Sequence, residues 1–88
     1  MAGKGGAQSG ILELDIHGMT RAQAKTFLES RILRADKSVY RIRVIHGYNG
    51  GTELRDLVRW EISRNKKVLR VEIGLNQGET TLILRELF

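Results

Sequence analysis

Asp15 and His17 are the residues best suited to proton transfer. They stand two apart in an alternating stretch, so on a strand both project from one face. A carboxylate there can orient or polarise the imidazole, and an imidazole moves protons near neutral pH. A second imidazole, His46, opens the run His46, Gly47, Tyr48, Asn49, Gly50, Gly51, which leads into a helical pattern. Free backbone N–H groups and the dipole of a following helix suit that loop to a phosphate. Arg55, one turn into the helix, is placed to reach the same anion. A proton-transfer group beside an anion cradle supplies the two parts that phosphodiester cleavage needs. Each pattern also has an ordinary structural meaning. Asp15 and His17 could be an exposed strand end. His46 shares its phase with Tyr40, Ile42 and Val44, which fits a buried imidazole bonded to a backbone carbonyl. Trp60 falls outside the helix stripe and fits a cover for the helix edge.

These residues need elements to position them. Residues 11–16 alternate, with Leu12, Leu14 and Ile16 on one side and Glu13 and Asp15 on the other, as a half-buried strand requires. Thr20 followed by Gln23 is a capping-box pattern. Ala24, Phe27, Leu28, Ile32 and Ala35 follow at helical spacing, so a helix is expected over about 21–35. A second strand spans 39–45, with Arg41 and Arg43 on its polar side. Thr52 is expected to cap a second helix, whose stripe is Leu54, Leu57, Val58 and Ile62. A third strand over 68–73 points Leu69, Val71 and Ile73 inward, and a last strand over 80–87 points Leu82 and Leu84 inward.

The order is β-α-β-α-β-β. Helical crossovers make the first connections parallel, and the short last loop makes the final pair antiparallel. One apolar face per strand implies a two-layer α/β sandwich, a four-stranded mixed sheet with both helices on one face. The open face would carry Glu13, Arg41, Arg43, Arg70, Glu72 and Arg85, a mixed surface without the aromatics on which bases stack. Ligands in such folds collect beyond the carboxyl ends of the strands. Both histidines, the 47–51 loop and the turn 74–79 would meet there.

The chain's 88 residues make one domain. Residues 1–10, rich in Gly, Ala and Ser, read as a flexible tail, and the folded part as 11–88. There is no cysteine, hence no disulfide and no thiolate metal site. No apolar run is long enough to span a membrane, and the start lacks a signal-peptide core, so a cytoplasmic domain is expected. The net charge is +5, with 13 Lys/Arg against 5 Asp/Glu between residues 20 and 70. A basic middle with acidic flanks points to an anionic partner, most often nucleic acid. No close-spaced ligand motif marks a metal site, and no Gly-Lys-Ser/Thr makes the loop a Walker loop. No cofactor is firmly implied; Mg²⁺ or Mn²⁺ is compatible with the chemistry.

The sequence Leu14-Asp15-Ile16-His17-Gly18, then Val44-Ile45-His46-Gly47, then Leu54-Arg55, a Gly-containing turn and a Thr-rich last strand, resembles the Smr (small MutS-related) domain over residues 11–88. The resemblance implies a two-layer α/β sandwich and nucleic-acid binding, with nicking or endonuclease activity on DNA or RNA. It attaches catalysis to Asp15 and His17, and phosphate or nucleic-acid binding to the loop from His46 through Gly51 and to Arg55. It is also compatible with a larger complex or a ribosome-associated partner. Asn49 stands where the family's loop usually has Gly, and Tyr48 where many members have Lys or Arg. The loss of that cation favours the alternative, a non-catalytic phosphate- or nucleic-acid-binding or protein-interaction module.

Overall fold

The computed structural model describes residues 7–8, 10–48 and 51–86. The elements run β1 (Ala7–Gln8), β2 (Ile11–Asp15), α1 (Arg21–Arg34), β3 (Arg41–Ile45), α2 (Glu53–Asp56), β4 (Arg70–Glu72) and β5 (Glu79–Ile83). After α2 the helix widens into a π-helical turn, Leu57–Glu61, and tightens into a 3₁₀ turn, Ile62–Arg64. The sheet order is β1-β2-β3-β5-β4. β2 and β3 are parallel, and β5 is antiparallel to both β3 and β4. The expected four-stranded mixed sheet is present, extended by the two-residue edge strand β1.

Alternation builds the core as expected from β2 and β3. Leu12, Leu14, Ile16, Ile42 and Val44 are buried together with Leu82 of β5. Ala24, Leu28 and Ile32 of α1 and Leu57, Val58 and Ile62 of the second helical segment close over the same cluster, so both helices cover one face. The Thr20 capping box forms in full: Gln23 N–H donates to Thr20 Oγ1 at 3.1 Å, and Thr20 N–H to Gln23 Oε1 at 3.0 Å. At the other end of α1, Lys67 Nζ donates to the carbonyls of Leu33 and Ala35, two of the acceptors a helix C-terminus leaves open. Arg21 and Lys25 of α1 both reach Glu61, tying the two helices together.

Four expectations are corrected. Leu69 and Ile73 do not point into the core; they are 60% and 57% exposed, and only Val71 of that strand packs against it. β5 inserts between β3 and β4, which leaves β4 at the sheet edge, beyond the helices. Ile83, opposite in phase to Leu82, is also buried. Register places it between Arg41 and Arg70, both of which bind Glu72. Thr52 stands at the N-cap position but does not cap the helix backbone; its hydroxyl donates to Asp56 instead. Finally, the fold begins before Ile11. Ala7 and Gln8 pair with Leu12 and Ile11, and the Gly10 carbonyl accepts from Tyr40 N–H at 2.9 Å. Residues 1–6 and 9 of the expected tail lie outside the described residues.

Gly10 has φ +82°, and a Cβ there would stand 2.5 Å from the Tyr40 ring and 2.9 Å from the Ser38 carbonyl. Gly10→Ala is therefore expected to lower stability by about 1–3 kcal/mol, read by urea unfolding. Leu14→Ala, which empties a core position, should cost roughly 2–5 kcal/mol in the same measurement.

Candidate functional site

β2 and β3 are in register, Asp15 opposite Ile45, and Ile16 N–H continues the pairing to the Ile45 carbonyl at 2.9 Å. Their two His-Gly turns therefore leave the sheet side by side. Gly18 and Gly47 both have positive φ, which lets the chain turn sharply at each exit. A Cβ placed on Gly47 would lie 3.6 Å from His17 Cβ, so the exposed histidine stands directly beside the start of the loop. The third loop joins them. His46 and Gly47 N–H both donate to the Gly78 carbonyl, at 2.9 and 3.0 Å. The expected convergence of three loops at the carboxyl edge is what the chain does.

Asp15 and His17 form a pair. His17 N–H donates to Asp15 Oδ1 at 3.0 Å, and His17 Nδ1 lies 2.6 Å from the same oxygen. Partial desolvation raises the carboxyl's pKa, but the two hydrogen bonds and the charge of His17 outweigh it and hold Asp15 below its ordinary value. Asp15 is thus an anion at neutral pH. An anion can only accept, so Nδ1 carries a proton, and in the neutral tautomer this leaves the lone pair on Nε2. Both side chains are more than half exposed and accessible to a ligand.

His46 has the opposite character. It is 5% exposed, with Nδ1 2.8 Å from the Gly47 carbonyl and Nε2 2.9 Å from Thr80 Oγ1. The carbonyl accepts, so Nδ1 donates. Arg59 Nε donates to Thr80 Oγ1 at 2.9 Å. The Thr80 hydroxyl is then free to donate to His46 Nε2, which makes the ring neutral with every polar atom satisfied. Burial lowers the His46 pKa first of all; the Gly47 carbonyl opposes this, and the nearby Arg59 and Arg55 charges reinforce it. His46 shapes the loop and is not available as a second exposed acid or base.

Of the other expected residues, Gly51 and Tyr48 are exposed, while Asn49 and Gly50 lie outside the described residues. Arg55 turns to its neighbour, with Nη2 3.2 Å from Asp56 Oδ1. Arg59 and Thr80 were not among the candidates from sequence. The signal for Arg59 was its place four residues after Arg55, which sets both cations on one helix face. Trp60 does not cover the helix edge but is 68% exposed. The open sheet face is charge-balanced: Arg43 pairs with Glu13, Arg41 with Glu72, and Arg70 with Glu72 and Glu86. Among the described residues, no three His, Asp or Glu side chains gather as metal ligands would. No helix there is long and apolar enough to cross a membrane.

The Smr domain family model matches residues 14–82, from the strand that carries Asp15 to the one that carries Thr80. The chain belongs to the Smr family. A solved structure, the Smr domain of Thermus thermophilus MutS2, is similar to this Smr domain with a TM-score of 0.74 and 26% identity. The match covers 84% of this chain and 98% of that one. No curated protein matches the chain. The expected family and α/β fold thus hold.

The buried His46 gives a pH test. In the folded state its pKa lies below the ordinary ~6.5. As pH falls through ~6.5 the unfolded ring takes up a proton that the folded ring refuses. Stability is therefore full above that value and lost as pH drops toward the folded pKa. Urea unfolding between pH 7.5 and 5 should show this slope in the wild type and a shallower one in His46→Gln.

Proposed function

We propose that this Smr domain binds nucleic acid at the carboxyl edge of its sheet and cleaves a phosphodiester there. The observation that carries the reading is the exposed Asp15–His17 pair, closed at 2.6 Å and set against Gly47 at the mouth of the glycine-containing loop. His17 Nε2 takes the proton from the attacking hydroxyl, whether of water or of a ribose. Asp15 keeps the ring oriented and stabilises the imidazolium that forms. The protonated ring then returns the proton to the leaving oxygen. The Gly47 N–H is already taken by the Gly78 carbonyl, so backbone donors for the phosphate come from beyond it, with the exposed Tyr48 and Gly51 at the described margins of the loop. Arg55 and Arg59 supply positive charge behind the loop, a pair of like charges that an anion relieves. With the sheet-face arginines neutralised by carboxylates, the excess of cations over residues 20–70 favours the helix and loop side for the anionic partner.

A binding-only module is the second reading, and the locked neutrality of His46 favours it. One exposed imidazole must then act as base and acid in turn, and Tyr48 adds no cation to the loop.

Supercoiled plasmid and a labelled RNA, each with and without Mg²⁺ or Mn²⁺, separate the two. Cleavage by the wild type, slowed roughly 10²–10⁴-fold in His17→Ala with binding nearly intact, is the expected result. No cleavage of either substrate under any condition supports the binding-only module. Equal cleavage by the Asp15→Ala/His17→Ala double variant identifies a contaminating nuclease. Affinity should fall steeply with salt, and Arg55→Ala should reduce the slope of log K against log salt by about 1.

A further inference from the structure

The loop leaving β3 puts an aromatic ring where a phosphate-gripping loop would gain most from a cation. Tyr48 is 61% exposed. The backbone just before it is pinned, because His46 and Gly47 N–H share the Gly78 carbonyl. Its ring lies beside Gly78. A Cβ there would lie 3.6 Å from Tyr48 Cδ1 and 3.4 Å from Gly47 Cα, ordinary contact distances that place the edge of the ring and the start of the loop alongside the turn. The result is an aromatic beside the 74–79 turn and open to solvent, one residue from the glycine next to His17.

We propose that Tyr48 is a stacking platform for an unpaired base next to the phosphate held at His17, making single-stranded or locally unpaired nucleic acid the substrate class. The inference rests on the nucleic-acid reading above and adds to it a discrimination that phosphate contacts cannot supply. Single strands and duplexes both offer phosphates, so a cradle of N–H groups and arginines binds either. Base faces differ. In a duplex each face is covered by its neighbours, and a base must be turned out of the stack at a cost of a few kcal/mol before a ring can meet it. A single strand offers its faces directly. A ring whose preceding backbone is pinned by two hydrogen bonds and that lies beside the turn loses less freedom on stacking than one on an untethered loop. A lysine or arginine at 48 would add affinity for both forms alike. The Tyr48 hydroxyl is not required for stacking, so its contribution should survive in phenylalanine. Trp60 is the other strongly exposed aromatic among the described residues, but it sits in the π-helical turn and touches none of the three loops in any hydrogen bond or backbone clamp described.

The test is fluorescence anisotropy with a labelled single strand of about 12 nucleotides and the blunt duplex of the same sequence, for DNA and for RNA, at fixed salt. The wild type is expected to prefer the single strand. Tyr48→Ala should weaken single-strand binding by about 5- to 150-fold, the range for loss of one base–aromatic stack, and lower the ratio of single-strand to duplex affinity. Tyr48→Phe and Tyr48→Trp should keep the ratio. Tyr48→Lys should tighten duplex binding, steepen its salt slope by about 1 and leave the ratio low. Thermal unfolding of each variant checks the fold, which an exposed side chain should not disturb. An unchanged ratio in Tyr48→Ala overturns the inference, as does a ratio that falls in Trp60→Ala and not in Tyr48→Ala. Failure of the wild type to bind either nucleic acid overturns the nucleic-acid reading itself. Binding of both forms with no effect of Tyr48 leaves that reading standing and removes only the stacking role.

Discussion

The parallel, in-register pairing of β2 with β3 is the constraint on which the rest depends. Parallel neighbours need a crossover, and α1 with its complete capping box and its buried Ala24, Leu28 and Ile32 provides it. Because Asp15 stands opposite Ile45, the two chains reach the sheet edge at one level and turn there through glycines of positive φ. A one-residue slip would move every side chain of β2 to the opposite face, burying Asp15 and exposing Leu12 and Leu14. The core and the exposed pair are thus two consequences of one register. Each secures the other, since the burial of Leu12, Leu14 and Ile16 is what makes the slip costly.

The same edge gives its two histidines opposite tasks. His17 follows the solvent-facing phase of β2 and bonds to a carboxylate, which leaves one nitrogen free. His46 follows the core-facing phase of β3 and lies in a chain of bonds with one direction, from Arg59 to Thr80 to His46 to the Gly47 carbonyl. Directed bonds of this kind leave no room for a second proton, and burial and neighbouring arginines oppose it further. The neutral ring fixes the carbonyl of Gly47, while the Gly78 carbonyl holds the N–H groups on the other side of the turn. The start of the loop at His46 and Gly47 is thereby positioned, and the exposed His17 gains a defined neighbour.

Charge is partitioned in a similar way. On the open sheet face each arginine of β3 and β4 has a carboxylate in reach, and Ile83, paired in register with Arg41 and Arg70, is buried. These cations serve the sheet. Exposed pairs contribute little to stability individually, but they cancel the field on that face. Arg55 and Arg59 share one aspartate between them near His46, so positive potential persists on the helix side of the edge. The direction from which an anion approaches follows from which cations are already satisfied.

Local pattern determined much of this protein. The two-residue period of β2 and β3, the Thr20–Gln23 box and the common face of Asp15 and His17 each involve residues within a few positions of one another. They are legible wherever they occur, because they depend on backbone geometry and not on partners. The convergence of the loops followed from the parallel connection. Tertiary structure alone decided the rest. Only the insertion of β5 between β3 and β4 leaves Leu69 and Ile73 at an edge the helices do not cover, and buries Ile83 on the opposite face. Only the close approach of Tyr40 reveals that Gly10 belongs to the fold. The protonation state of His46 depends on Thr80, 34 residues away, and on Arg59 in a π-helical turn that the apolar stripe of the second helix did not disclose. A periodic sequence specifies which way a side chain points from its own strand or helix. What it meets there depends on which distant segment is packed alongside, and that is settled when the sheet is assembled.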